Sequence, residues 1–177
     1  MCTTLKAEAA QQPALAKRLD VMGQMLRQAI TQTRSLARGL VPVGDEPDAL
    51  QIGLAELAER TDALGRVHCR LDSPRPIAIG DAFVAGHLYR IAQEAVNNAV
   101  KHARAQHITI RLTRDVAKLV LEVSDDGNGL SKPRTPQPPG LGLGIMRHRA
   151  RMIGAGLEIA SKRGQGTTVR CVLPFTS

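Results

Sequence analysis

Aromatic side chains are scarce in this chain: one tyrosine, two phenylalanines and no tryptophan among 177 residues. So little flat surface gives a single-stranded nucleic acid few places to stack. Cysteine is almost as rare. Cys2, Cys69 and Cys171 are odd in number, far apart and in no Cys-x-x-Cys pair, which argues against a disulfide framework or a zinc site and suits a reducing cytoplasm. No apolar run approaches the roughly 18 residues of a membrane span, and Met1-Cys2-Thr3-Thr4 does not begin the apolar core of a signal peptide. A soluble, cytoplasmic chain is expected. Also missing are the Gly-x-x-x-x-Gly-Lys-Ser/Thr of P-loop NTPases and the Gly-x-Gly-x-x-Gly of dinucleotide folds. No internal repeat is evident.

What the chain has is apolar content and positive charge. Hydrophobic residues make up 43% of it, enough for a folded domain, and its length allows one core with an appended helix. The formal net charge of +8 comes from 24 basic and 16 acidic residues. A basic balance invites a nucleic-acid partner. Here, though, the charges are dispersed apart from Arg147-His148-Arg149-Arg151 and Lys162-Arg163. With so few aromatics, a solvated face drawn to small phosphates or an acidic partner accounts for them better, and no direct nucleic-acid contact is expected.

The apolar pattern divides the chain near Pro42. Met22, Met25, Leu26, Ala29, Ile30, Thr33, Leu36, Ala37 and Leu40 form a helical stripe over 1–42 that needs a partner surface, either its own domain or a helical bundle. Val43-Gly44-Asp45-Glu46-Pro47 is turn-rich and opens a connecting region over 43–80. Within it Asp48 is placed to cap a helix with Leu50, Leu54, Leu57, Ala58 and Leu64 on its apolar face. A short strand at Val67, Cys69 and Leu71 follows, broken by Pro74 and Pro76. From 81 to 177 the pattern is that of a compact core. Asp81 caps a helix whose broad apolar face is Val84, Leu88, Ile91, Ala92, Ala95, Val96, Ala99 and Val100. The alternating runs Ile108-Ile110-Leu112 and Leu119-Leu121-Val123 make a hairpin around Arg114–Ala117. Leu130–Pro139 is a proline-rich loop. A helix over about Leu143 to Ile153 and strands around Leu157–Ile159 and Val169–Leu173 complete an α/β arrangement, a mixed sheet with helices on one face.

Three stretches in this core carry chemistry. Glu94, Asn98 and Lys101 fall at i, i+4 and i+7 of one helix, hence on one side of it, while Asn97 points about 100 degrees away, toward a structural contact. Asp125-Asp126-Gly127-Asn128-Gly129 sits at a strand end. Gly140-Leu141-Gly142-Leu143-Gly144 opens a helix, where backbone amides and the helix dipole favour an anion. Taken singly each is ordinary: a mid-helix Asn faces solvent, and Asp-Asp-Gly-Asn-Gly makes a hairpin turn. Together they suit a nucleotide. A carboxylate on a glycine turn accepts from an adenine amine, a carboxamide oxygen holds a divalent cation, and glycine backbone closes over phosphates.

In this order the stretches resemble the boxes of the Bergerat-type ATP-binding domain of sensor histidine kinases, in the nitrate-sensor-like branch. Leu88 to Ala103 is similar to the N box, Val123 to Leu130 to the G1 box, Gly140 to Arg149 to the G2 box, and Gly164-Gln165-Gly166-Thr167-Thr168 to the element before the last strand. The resemblance implies a two-layer α/β sandwich over 81–177 that binds ATP with Mg2+. It makes Asn98 the metal ligand, Asp125 the adenine acceptor with Thr167 completing the contact, and Gly127 and Gly129 the residues that let the base approach. The segment Gly140, Leu141, Gly142, Leu143, Gly144 would face the phosphates, with Lys101 adding charge and His102 packing beside the nucleotide. Glu94 stands where related ATPases carry a general base; a solvated or second-layer carboxylate is its other reading.

By the same resemblance Arg34 to Pro42 looks like the end of the second helix of a dimerisation and phosphoacceptor domain. That implies a homodimer in the full-length kinase, a response regulator as partner and, for the parent protein, the option of a membrane anchor. The acceptor histidine of such kinases lies in a Glu-x-x-x-His-Asp-like sequence. None of the five histidines, His68, His87, His102, His107 and His148, has that setting. The chain therefore reads as a catalytic fragment without its acceptor. The alternatives are an anti-sigma-factor-like serine kinase and another ATPase of the same fold.

Overall fold

The chain's structure, a computed structural model, describes residues 48–129 and 141–175. The expected N-terminal helix, the turn-rich 43–47, the loop Leu130–Pro139 and Gly140 lie outside the described residues. The elements run α1 (Ala49–Asp62), β1 (His68–Asp72), α2 (Ala82–Asn98), a π turn (Ala99–Ala103), β2 (His107–Arg114), β3 (Lys118–Asp125), α3 (Leu141–Met152), β4 (Gly156–Ser161) and β5 (Thr167–Pro174).

Helix α1 buries Leu50, Leu54, Leu57 and Ala58 as the periodicity predicts. Two expectations for it fail. Asp48 occupies the N-cap position, but its side chain makes no capping hydrogen bond. Leu64 is 64% exposed, because the helix stops at Asp62 and Gly65, with φ of 66°, turns the chain away. Asp62 then receives the Cys69 N–H at 3.0 Å, tying the helix end to β1. Helix α2 is capped as expected, with Asp81 Oδ1 accepting from Phe83 and Val84 N–H at 2.9 and 3.2 Å. Its buried line is Ala85, Leu88, Tyr89, Ile91, Ala92, Ala95 and Val96. The regular helix ends at Asn98, however, and a π turn that closes on Arg104 in the left-handed region replaces the α-helix expected through Lys101.

The sheet order is β1-β2-β3-β5-β4. Only β1 and β2 are parallel, joined through α2; the other pairs are antiparallel, so the sheet is mixed. The β2–β3 hairpin turns on Asp115, whose Oδ1 accepts from Ala117 and Lys118 N–H at 2.8 and 2.9 Å. Ile108, Ile110, Leu112, Leu119, Leu121, Val123, Val169 and Cys171 are buried on the face covered by the helices. Burial pushes the Cys69 and Cys171 thiols up to about 11, with the Asp62 charge adding to the rise at Cys69, so both serve as small apolar residues. Across the other face Asp72, Arg111, Glu122 and Arg170 form a ladder of charge: Arg111 bridges Asp72 at 2.9 Å and Glu122 at 3.4 Å, and Arg170 reaches Glu122 at 3.9 Å. The result is a two-layer α/β sandwich, one layer boundary apolar and the opposite sheet face carrying the charged ladder together with the buried Val120. No helix among the described residues is long and apolar enough to cross a membrane.

Candidate functional site

Helices α2 and α3 meet at the first of the predicted residues. Asn98 Nδ2 donates to Glu94 Oε1 at 3.4 Å, one turn back on α2. This commits the amide nitrogen and leaves Oδ1, a hard oxygen, without a partner among the described residues. Gly142 lies directly against the pair: a Cβ there would collide with Glu94 Oε1 and stand 3.5 Å from Asn98 Nδ2. Any side chain at 142 would have to push the Glu94 carboxylate out of its place. Among the described residues α3 runs from Leu141, ahead of the expected start near Leu143, so Gly142, Leu143 and Gly144 lie within it. Two turns beyond Gly142 on the same helix, Arg149 is half-buried. Desolvation and the nearby Arg90 lower its guanidinium pKa, and Glu94 opposes the shift. His87, further back on α2, stacks edge-on to Phe83 and has its buried Nδ1 unpartnered among the described residues. Burial first, then the charges of Arg149 and His148, hold its imidazole below the ordinary value.

The second predicted group sits at the C-terminal end of β3. Asp125 is partly buried and pairs in register with Thr167 of β5. Desolvation raises its carboxyl above the ordinary value, the N–H groups of Gly127 and Thr167 pull it back, and the charge of Asp126 adds to the rise. Gly127 N–H reaches Asp125 Oδ1 at 2.9 Å. Thr167 Oγ1 lies 3.1 Å from Ser161 Oγ. Gly166, with φ of 81°, passes so close to Asp125 that a Cβ would strike its carbonyl oxygen. The two groups are joined by the π turn. Asn128 N–H donates to the Ala103 carbonyl at 2.7 Å, and Gly127 packs against Ala103, 2.6 Å being left between an added Cβ and that side chain. In turn Gly164 N–H donates to Asn128 O at 2.9 Å, and Gly129 lies against Lys162.

The fold thus forms two groups, Glu94, Asn98 and Gly142 where α2 meets α3, and Asp125, Gly127 and Thr167 at the ends of β3 and β5, with Gly127 resting on Ala103 of the π turn that follows α2. Lys101 and His102 are exposed on the π turn, whose wider winding moves Lys101 off the line expected from regular helical spacing. Asn97, expected to make a structural contact, is exposed and has no side-chain hydrogen bond among the described residues. Gly144 meets open space. Gly140 lies outside the described residues, and of Leu141 only the backbone is described. A concavity bounded by Asp62, Arg66, His68 and His107 lies beside the starts of β1 and β2 and contains none of these groups. Sequence reasoning gave no role of their own to Gly166, whose place is set by the distant Asp125, or to Asp126.

Residues 84–177 match the family model described as histidine kinase-, DNA gyrase B-, and HSP90-like ATPase. The chain is similar to the sensor histidine kinase LiaS of Bacillus subtilis, 32% identical over 159 residues that cover 90% of this chain and 43% of that protein. It is also similar to the nitrate/nitrite sensor protein NarQ of Escherichia coli, 35% identical over 150 residues, 82% of this chain and 26% of that one. It spans less than half the length of either. Among solved structures, the histidine kinase domain of the Erythrobacter litoralis EL346 blue-light activated histidine kinase matches with a TM-score of 0.60 at 19% identity, over 97% of this chain and 82% of that chain. The Acinetobacter baumannii histidine kinase AdeS matches at 0.62 and 12%, over 93% and 84%. At these identities the structural likeness speaks for the fold.

Proposed function

The chain belongs to the histidine kinase-, DNA gyrase B- and HSP90-like ATPase family, a family of ATP-binding domains, and from that premise we propose that it is the catalytic part of a two-component sensor histidine kinase. It binds Mg-ATP and presents the γ-phosphate to a histidine that is not among its own five. The observation that carries this reading is the seating of Gly142 on the Glu94–Asn98 pair, which brings the start of a helix, a carboxylate and a free carboxamide oxygen to one spot.

The donor set fits the ligand. Asn98 Oδ1 would hold Mg2+, which takes few protein oxygens beside phosphate and water, and when bound the ion neutralises charge developing on the phosphates. The backbone at the start of α3 would meet the phosphates, and Lys101, exposed on the π turn, can add charge. Asp125 would accept from the adenine amine, which an ionised carboxylate does well in a partly desolvated place. Glu94, hydrogen-bonded to Asn98, is positioned to orient the cation's water or to receive a proton from the nucleophile. Because phosphoryl transfer is mainly positioning and charge stabilisation, the domain can bind without turning over until an acceptor helix arrives. In the whole kinase that acceptor belongs to a dimerisation domain of a homodimer, and a response regulator receives the phosphate. This portion works on the cytoplasmic side.

Calorimetric titration with ATP and a non-hydrolysable analogue, with and without Mg2+, tests the site. Asp125→Ala is expected to remove most adenine-nucleotide affinity, and omission of Mg2+ to weaken ATP binding. Unchanged affinity in Asp125→Ala would overturn the assignment. Radioactive ATP tests the activity: label is expected on added acceptor-helix protein and not on this chain alone. Acid-labile labelling of the chain by itself, or sustained phosphate release without acceptor, points to a different activity.

A further inference from the structure

The second aspartate of the glycine turn has no part in the function proposed above, yet its carboxylate is held on both oxygens. Asp126 Oδ1 accepts from the N–H of Gln106 at 2.7 Å and of His107 at 2.9 Å, and Oδ2 lies 2.7 Å from His107 Nδ1. The Asp126 N–H reaches back to His107 O at 3.3 Å. These hydrogen bonds and the His107 charge hold its carboxyl down to about 2, against a smaller opposing effect of burial. The clamp has backing. The His107 ring stacks on His68 with centroids 5.7 Å apart, and Asp62 at the end of α1 faces His68 Nδ1 at 3.5 Å while accepting from Cys69 N–H.

Successive side chains of an extended strand point to opposite sides. Asp125 and Asp126 follow that rule: one carboxylate receives Gly127 and Thr167 N–H, the other the start of β2. The segment that follows contains Gly127 and Gly129, residues that impose little conformational restraint of their own. The Asp125 carboxylate is held directly by Gly127 and Thr167 N–H, and the turn is tied further along by Asn128 N–H on the Ala103 carbonyl; the Asp126 clamp adds the hold at the residue next to Asp125.

We propose that Asp126 is a positioning residue for adenine recognition: by clamping the turn to the backbone of Gln106 and His107, it fixes the direction in which Asp125 meets the base. This rests on the reading of Asp125 as the adenine acceptor. Alanine at 126 leaves two backbone N–H groups without their acceptor and loosens the turn at its first residue, while Asn128 stays bonded to Ala103. Asparagine keeps an oxygen for both and gives up only the ion pair with His107.

The test is calorimetric titration of the whole chain with ADP and Mg2+, with thermal unfolding recorded in parallel, for wild type, Asp125→Ala, Asp126→Ala and Asp126→Asn. Asp126→Ala is expected to weaken ADP binding about tenfold or more at temperatures where it is folded, and Asp126→Asn to stay within about threefold of wild type, as loss or retention of the hydrogen bonds dictates. A lowered Tm with unchanged affinity in folded Asp126→Ala overturns the proposal and leaves Asp126 a purely architectural residue. Equal loss in both variants also overturns it, since the backbone clamp would not be the cause. Wild-type affinity in Asp125→Ala would instead strike the underlying assignment of the base site. If Asp126→Ala does not fold, Asp126→Ser, which keeps one acceptor oxygen, is expected to bind between the two, and wild-type affinity there counts against the proposal.

Discussion

At the scale of single residues, Gly142 and Gly144 separate two uses of the same amino acid. Alanine at 142 would place its Cβ on the Glu94 carboxylate, which is the far end of a flexible side chain and can swing aside. Stability should therefore hold while the Glu94–Asn98 geometry is lost. Gly142→Ala is expected to weaken Mg-ATP binding about tenfold, the order of one displaced charge-assisted hydrogen bond, with an unchanged circular dichroism spectrum. Alanine at 144 meets open space in a helix and is expected to raise stability in chemical denaturation by roughly 0.5–1 kcal/mol. Asp125 adds a pH dependence. Its carboxyl, raised by burial above the ordinary 3.8, favours the fold while protonated and loses that contribution as pH rises through the raised value. Near pH 7 its ionised form works against folding. Asp125→Asn should accordingly melt at or above the wild-type temperature at pH 7, and its advantage should shrink as the pH falls through the raised value, even though nucleotide binding is lost. Differential scanning calorimetry across that range checks the sign.

At the scale of elements, two aspartates in the same formal position differ in effect. Asp81 accepts two N–H groups at the start of α2 and Asp48 accepts none at the start of α1. Asp81→Ala should cost about 1 kcal/mol in urea unfolding, and Asp48→Ala little. Both looked alike as sequence, because cap identity is local while cap geometry depends on how the preceding chain enters. The hairpin was legible: Ile108, Ile110 and Leu112 alternate with polar residues, Leu119, Leu121 and Val123 keep the same two-residue step although Val120 interrupts it, and Asp115 marks the turn. Counting back from that turn also sets Asp126 opposite His107, so the signal for the clamp was present in the register. The π turn was not legible, since Ala95, Val96 and Ala99 satisfy regular helical spacing up to the point where the winding widens. Nor could a pattern read along the chain show that Gly127 and Gly166 have protein against them, as those facts depend on neighbours far away in sequence; Leu64 faces water for a local reason, the stop at Asp62 and the turn at Gly65.

At the scale of the whole molecule, a ligand that binds only the folded state raises its stability by mass action. Mg-ATP at one hundred times its Kd should stabilise the wild type by about 2.7 kcal/mol. A thermal-shift titration should show this, with no shift for Asp125→Ala. The proposed site would draw on both layers, α2 and α3 and the ends of β3 and β5, so the stabilisation should protect backbone amides in the sheet as well as in the helices during hydrogen exchange. The ladder of Asp72, Arg111, Glu122 and Arg170 has a further consequence for how this domain can be approached. Any protein lying flat on that side of the sheet would have to strip water from four ionised groups already satisfied by one another, a penalty of several kcal/mol per ion if it were complete. A partner seated on those four charges would bear that cost before any contact of its own repaid it.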